Sequence, residues 1–285
     1  GTIIVKDIYA GVNSSTPQNL VAIDGTLYFT AVTSANGREL WKSDGTEAGT
    51  ILVKDIRTGT SSSTPSVFTQ AGSLFYFTAD DGTTGRELWV SDGTAAGTVL
   101  VKDIITGAPS SSPDYLTAVG STLFFNVDDG INGFELWKSD GTAAGTVLVK
   151  DINPGSSWSY PMYLTNFNGI LVFRATTDAE GDELWRSDGT EAGTVLVKDI
   201  YTGVSSGGPT VMLVTDTNFY FIGTDEFAGD QVFKSDGTTA GTVPLQGSDA
   251  YFNPDDIIKL NDAIYFTASS ASSGNELWKT DGTAA

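Results

Sequence analysis

Histidine and cysteine are absent from this sequence of 285 residues. Their absence excludes serine–histidine and cysteine–histidine nucleophile pairs, zinc sites of the usual ligand sets, haem held by His or Cys, iron–sulfur clusters and disulfides. Basic residues are scarce, with 15 Lys and Arg against 35 Asp and Glu, a formal net charge of −20. Such a surface repels phosphate backbones and anionic headgroups, so no nucleic-acid partner is expected. No apolar run approaches the roughly 18 residues of a spanning helix, so no membrane insertion is expected either. Carboxylate pairs, Tyr, Ser, Lys and oxygen-ligated cations remain as available chemistry. Hydrophobic residues at 40% and aromatics at 11% are enough for a packed core. The chain opens at Gly1 with neither Met nor a signal-like segment, which reads as a processed or excised product.

What is present in abundance is repetition. Glu-Leu-Trp begins at Glu39, Glu87, Glu135 and Glu183, each 48 residues after the last; Gln231-Val232-Phe233 keeps the step, and Glu276-Leu277-Trp278 follows after 45. Ser-Asp-Gly-Thr trails the first five copies and Thr-Asp-Gly-Thr the sixth. One proline marks each unit: Pro17, Pro65, Pro113, Pro161, Pro209 and Pro254. Periods of this length mean solenoids, propellers or arrays.

Each unit reads as four short strands rich in β-branched and aromatic residues, bounded by Gly, Asp, Asn and Ser. In the third copy they are predicted at 113–119, 121–127, 134–139 and 146–152. Residues 1–8 match the fourth strand of every earlier unit, and the chain stops inside the turn that would lead to such a strand. The expectation is an all-β, six-bladed β-propeller over residues 1–285, a single domain of four-stranded antiparallel blades. It is closed by residues 1–8, which complete the blade formed by about 254–285. Pairing Trp41 with Leu52 sets Glu39 opposite Lys54, and the same count gives Glu87–Lys102, Glu135–Lys150, Glu183–Lys198, Gln231–Gln246 and Glu276–Lys6. Pro244 puts the fourth strand of the fifth unit in doubt, because proline cannot donate to a ladder.

The motif Glu-Leu-Trp-x-Ser-Asp-Gly-Thr-x-Ala-Gly-Thr, as at Glu39–Thr50, resembles the bacterial ELWxxDGT repeat family over all six units. The meander is also similar to TolB-type propellers, and its Ser-Asp-Gly turn to the Asp-box. The ELWxxDGT resemblance implies a secreted or cell-surface bacterial protein and lends no enzymatic activity.

The Asp-Gly-Thr turns and the repeated Trp residues recur in nearly every unit, as scaffold does. Candidate sites are therefore sought where units differ. Trp158 is the one Trp outside the repeat position, and Tyr160 and Tyr163 stand near it; Tyr251 belongs to a second outlier, the shortened linker. These four are the candidate ligand-binding residues, suited to sugar rings. Asp178, Glu180 and Asp182 are the candidate calcium ligands; no cofactor is required and calcium is the one cation considered. The leading functional expectation is a non-catalytic extracellular interaction or scaffold module that contacts a glycan or a cell-surface or matrix component. The alternatives are a surface filament assembled by strand exchange between copies of the chain, and a carboxylate-based glycoside hydrolase or lyase.

Overall fold

The computed structural model describes residues 1–245, 251–270 and 272–283. Among these residues the chain is all-β, with strands in six antiparallel sheets and no helix. The first sheet is β1 (Gln18–Ile23), β2 (Thr26–Thr33), β3 (Gly37–Ser43) and β4 (Ile51–Lys54). The second is β5 (Ser66–Ala71), β6 (Leu74–Asp80), β7 (Arg86–Ser91) and β8 (Val99–Lys102), and the third β9 (Asp114–Val119), β10 (Thr122–Asp128), β11 (Phe134–Ser139) and β12 (Val147–Lys150). The fourth is β13 (Met162–Phe167), β14 (Ile170–Thr177), β15 (Gly181–Ser187) and β16 (Val195–Lys198). The fifth is β17 (Thr210–Val214), β18 (Phe219–Asp225), β19 (Gly229–Ser235) and β20 (Val243–Pro244). The sixth has three strands, β21 (Tyr251–Leu260), β22 (Ala263–Ser270) and β23 (Gly274–Thr280). Every sheet is an up-and-down meander in chain order, the unit from which a β-propeller is built.

The chain forms two compact units, residues 1–133 with 137–148, and residues 134–136 with 149–285. In the first, Tyr28, Leu40 and Val53 of the first sheet pack against Phe75, Phe77 and Trp89 of the second. Tyr76, Leu88 and Val101 of the second repeat that contact with Leu123, Phe125 and Trp137 of the third. In the second unit, Val172, Leu184 and Val197 meet Phe219, Phe221 and Phe233, and Tyr220 and Val232 meet Ile264 and Phe266. The second strands β6 and β10 are buried almost continuously because both of their faces are covered.

The repeated hairpin turn is held by its own side chains. Asp92 Oδ1 accepts the amide (2.8 Å) and hydroxyl (2.7 Å) of Thr94, and Thr94 Oγ1 accepts the Gly97 amide at 2.9 Å. These hydrogen bonds hold the Asp92 carboxyl below its usual range. A Cβ on Gly97 would lie 2.1 Å from that carboxylate, so only glycine closes this turn. Asp44, Asp140, Asp188 and Asp236 do the same, and the structural reading of these turns stands.

One expectation of register is corrected, and two features of the chain's ends bear on the sixth sheet. First, Glu39 does not face Lys54. A bulge between Leu40 and Trp41 sets Lys54 opposite Leu40, and the same shift recurs at Leu88/Trp89 and Leu184/Trp185. The extra residue lies in the fourth strand, as Val53 does in β4, so the lysine moves out of the counted register and reaches the following sheet. Lys54 Nζ donates to the Thr98 carbonyl at 2.6 Å and lies 5.9 Å from the Trp89 ring centroid. Lys102 and Lys150 repeat this on Thr146 and Trp137, and on Thr194 and Trp185. Gln246, the expected partner of Gln231, lies outside the described residues.

Second, residues 1–8 form no strand, and the sixth sheet is three-stranded among the described residues. The segment is held by the first sheet instead: Lys6 Nζ donates to the carbonyl of Thr50 at 2.7 Å, and Ile8 packs on the cluster of Phe29, Ala31 and Trp41. Lys6 thus reaches Thr50 as Lys54 reaches Thr98. Third, the sixth sheet has an open face. Leu277 is 72% exposed, whereas its counterparts Leu40, Leu88, Leu136 and Leu184 are 0% exposed. The expected weakness at Pro244 is present, since β20 is two residues long.

Candidate functional site

The repeated glutamates, unremarked as a site in the sequence, are the most unusual titratable groups among the described residues. Glu39, Glu87, Glu135 and Glu183 are 0% exposed and have no cationic partner. Glu135 Oε2 accepts the Ile152 amide at 2.9 Å and the Ser159 hydroxyl at 2.5 Å, and Oε1 accepts the Ser159 amide at 3.1 Å. Glu39 does the same with Ile56 and Ser63, and Glu87 with Ile104 and Ser111. At Glu183 the serine is replaced by Gly207, whose amide donates at 2.6 Å. Each carboxylate therefore clamps both ends of the loop that leads to the next sheet. Burial pushes the carboxyls of Glu87, Glu135 and Glu183 up to about 7, against hydrogen bonds that pull them down, and Glu39 in the same direction. In the fifth sheet Gln231 is turned to Asp225 instead, its Nε2 donating at 2.7 Å, and its buried Oε1 is unpartnered. The signal in the sequence was the constant 24-residue step from Glu39 to Ser63, Glu87 to Ser111 and Glu135 to Ser159.

The clamp places the inter-sheet loop beside the loop between the second and third strands of the next sheet. The Thr176 amide donates to Ser159 O at 2.7 Å, and the Thr224 amide to Gly207 O at 2.7 Å. In the loop 151–161 this brings Trp158 and Tyr160 together with Phe134. Trp158 meets Tyr160 edge-on at 5.1 Å and Phe134 edge-on at 5.7 Å, while Tyr160 stacks on Phe134 at 5.4 Å. Trp158 keeps 46% of its surface exposed. Phe134, missed in the sequence, is the floor of this cluster. Tyr163 stands beyond it in β13 at a positive φ of 54°, in the bulge between Met162 and Thr165. Tyr251 opens β21, pairing with Ser270; its side chain lies outside the described residues.

The proposed calcium ligands do not converge. Asp178 Oδ1 accepts from Asn153 Nδ2 at 3.3 Å, and Glu180 accepts the Thr177 hydroxyl. Asp182 is paired with Arg174 at 2.6 Å and also accepts the Thr176 hydroxyl. Each carboxylate has its own protein donor, and Asp182 its own cation. Among the described residues no group of three or more acidic side chains is arranged to hold a metal ion.

No family model and no curated protein matches the chain. Solved structures do match. A puromycin hydrolase mutant complexed with PGG is 13% identical with a TM-score of 0.52, over 89% of this chain and 42% of that one. The dihydro-heme d1 dehydrogenase NirN in complex with DHE is 14% identical with a TM-score of 0.51, over 93% and 55%. The β-propeller domain of the trilobed protease from Pyrococcus furiosus is 12% identical with a TM-score of 0.35, over 95% and 97%. What is shared is the fold. The chain spans about half or less of the length of the hydrolase and the dehydrogenase it matches.

The functional expectation is corrected accordingly. The solved structures matched with TM-scores above 0.5 include a hydrolase and a dehydrogenase, and neither is a glycan-binding surface module, a strand-exchange filament or a glycosidase. Tyr160, one of the four residues expected to meet sugar rings, stacks on Phe134. No helix among the described residues is long and apolar enough to cross a membrane.

Proposed function

We propose that this chain is a six-bladed β-propeller domain that accompanies a hydrolytic catalytic domain, in a longer chain or a complex, and breaks no bonds itself. The observation that carries the reading is the extent of the likeness to puromycin hydrolase, which takes in 89% of this chain and 42% of that one. The chain has no histidine, and its repeated buried carboxylates are engaged as loop clamps, so hydrolytic machinery of the serine–histidine kind would lie elsewhere. In this reading the six sheets are six blades. Residues 1–8 take the fourth-strand place beside β23 when the ring closes, covering Leu277, and the segment's Lys6 makes the contact that the lysines of β4, β8, β12 and β16 make with the sheet after them. No metal or cofactor is needed. The Glu-Leu-Trp units belong, in the same proposal, with the secreted bacterial ELWxxDGT repeats.

Two measurements test it together. The isolated chain should leave fluorogenic aminoacyl and peptide substrates uncleaved, and the coding sequence flanking it, or a partner co-purified from its source, should supply a hydrolase domain. Turnover by the isolated chain that is lost on one Asp or Glu substitution would overturn the proposal. So would flanking sequence that encodes only further repeats, together with a source protein free of any hydrolase partner.

A further inference from the structure

The loop end of the second compact unit combines two features that each lack an internal use. One is a set of projecting apolar side chains: Trp158 in loop 151–161, Val204 in loop 199–209 and Phe227 in loop 225–229, the last two 77% and 89% exposed. The other is charge of a single sign. These loops and the turn 178–181 contain Asp151, Asp178, Glu180, Asp199, Asp225 and Glu226, and no Lys or Arg. The loops are neighbours by construction. Ser159 and Gly207 accept the amides of Thr176 and Thr224, at the ends of β14 and β18, and Thr202 donates to Glu226 at 2.9 Å. The fourth and fifth sheets, which bear them, pack directly on each other through Val172, Leu184 and Phe219.

These loops hold no cation of their own to offset their negative charge. Most basic side chains are turned onto backbone carbonyls: Lys150 to Thr194, Lys198 to Thr242, Arg186 to Gly237 and Lys234 to Gly282. Two others are taken up in ion pairs, Arg57 with Asp80 and Arg174 with Asp182. Exposed apolar side chains set among like charges mark an interaction surface, and complementarity fixes the sign of the partner.

We infer that this loop end docks a cationic peptide segment that carries apolar or aromatic side chains beside Arg or Lys, with Trp158 and Phe227 as its apolar anchors. Arg is the better cation, because its guanidinium can stack on the exposed indole of Trp158 while its remaining donors reach Asp178 or Glu226. The charged rim sets the encounter rate and its salt dependence, and the aromatic anchors set the lifetime of the complex. This surface is distinct from the clamps and stands whether or not a hydrolase domain accompanies the chain.

The test uses a fluorescently labelled synthetic peptide of alternating Arg and Leu, titrated with the intact chain. Two peptides of the same length serve as comparisons, one of alternating Arg and Ser and one of alternating Glu and Leu. The Arg/Leu peptide should bind with an affinity that falls as salt rises, the Arg/Ser peptide about tenfold more weakly, and the Glu/Leu peptide not at all. Trp158→Ala and Phe227→Ala should each weaken binding by about tenfold and leave the circular dichroism melt unchanged. Glu226→Gln should flatten the salt dependence; its side chain is exposed, so this variant stays informative if the loop around Trp158 is disturbed. Equal binding of Arg/Ser and Arg/Leu would reduce the surface to diffuse charge and overturn the inference. Self-association of the chain that Trp158→Ala abolishes would assign the surface to a second copy and overturn it as well.

Discussion

Replacing Glu135 by glutamine isolates the energetics of a buried carboxylate that has hydrogen bonds and no counter-ion. Two physical terms oppose each other there. Burial with 0% exposure favours the neutral acid, whereas three donors, the Ile152 and Ser159 amides and the Ser159 hydroxyl, favour the anion. Burial is the larger, and the group titrates at about 7 in place of the ordinary 4.5. A carboxyl whose pKa is higher folded than unfolded binds more protons in the folded state. Its contribution to stability is therefore fully present below pH 4.5 and is lost as pH rises through 7. The gap corresponds to about 3 kcal/mol for this carboxylate. Glutamine carries no charge at any pH, but its Nε2 meets the amide donors where the second oxygen accepted them. Gln231 shows the outcome, with its Nε2 turned away to Asp225. Glu135→Gln should accordingly cost about 2 kcal/mol at pH 5, for a buried donor left unsatisfied. It should cost nothing, or stabilise slightly, at pH 8. Urea unfolding followed by Trp emission at the two pH values measures this, with the wild type losing stability between them. A wild type that gains stability from pH 5 to pH 8, with the same cost of substitution at both, would mean that the donors win and the carboxylate is ionised throughout.

Further outcomes follow from other contacts. Lys54→Met removes a hydrogen bond to the Thr98 carbonyl and a cation from above Trp89, and should lower unfolding stability by about 2 kcal/mol while shifting Trp emission. Gly97→Ala drives a methyl group into the Asp92 carboxylate and should cost about 1–2 kcal/mol in the same assay; on an Asp92→Ala background most of that cost should vanish, because the clash partner is gone. Melting temperatures in calcium and in chelator should coincide, since Asp178, Glu180 and Asp182 each hold a different protein donor; a rise in calcium that Glu180→Gln abolishes would reverse that conclusion.

Much of the scaffold was legible because its signals are local. Turn residues and apolar runs bounded the strands of the third unit to within about two residues, and β11 at Phe134–Ser139 was predicted in full. The Asp-Gly-Thr turns were legible because each closes within a few residues. The Glu–Lys pairing failed for the opposite reason. It was counted across a hairpin as if the register were uniform, and a bulge in the fourth strand, opposite Leu40/Trp41, Leu88/Trp89 and Leu184/Trp185, moved the lysine one place along. Phe134 was hidden because its partners Trp158 and Tyr160 lie over twenty residues away along the chain. The cluster Asp178, Glu180 and Asp182 misled because proximity in sequence says nothing about donors such as Arg174 and Asn153 arriving from elsewhere.

The lysine contacts have a consequence for how such a chain can change in length. Lys6, Lys54, Lys102, Lys150 and Lys198 each reach the threonine carbonyl found 44 residues further on. Each unit thus grips its successor and is gripped by its predecessor in the same way, whichever copies they are. Unequal recombination between two such units would delete or add whole copies and still leave a threonine carbonyl within reach of each ammonium. Position 246, where glutamine stands in place of the next lysine, interrupts that interchangeability. A copy spliced in after the fifth unit would follow a glutamine, not a lysine, at that position.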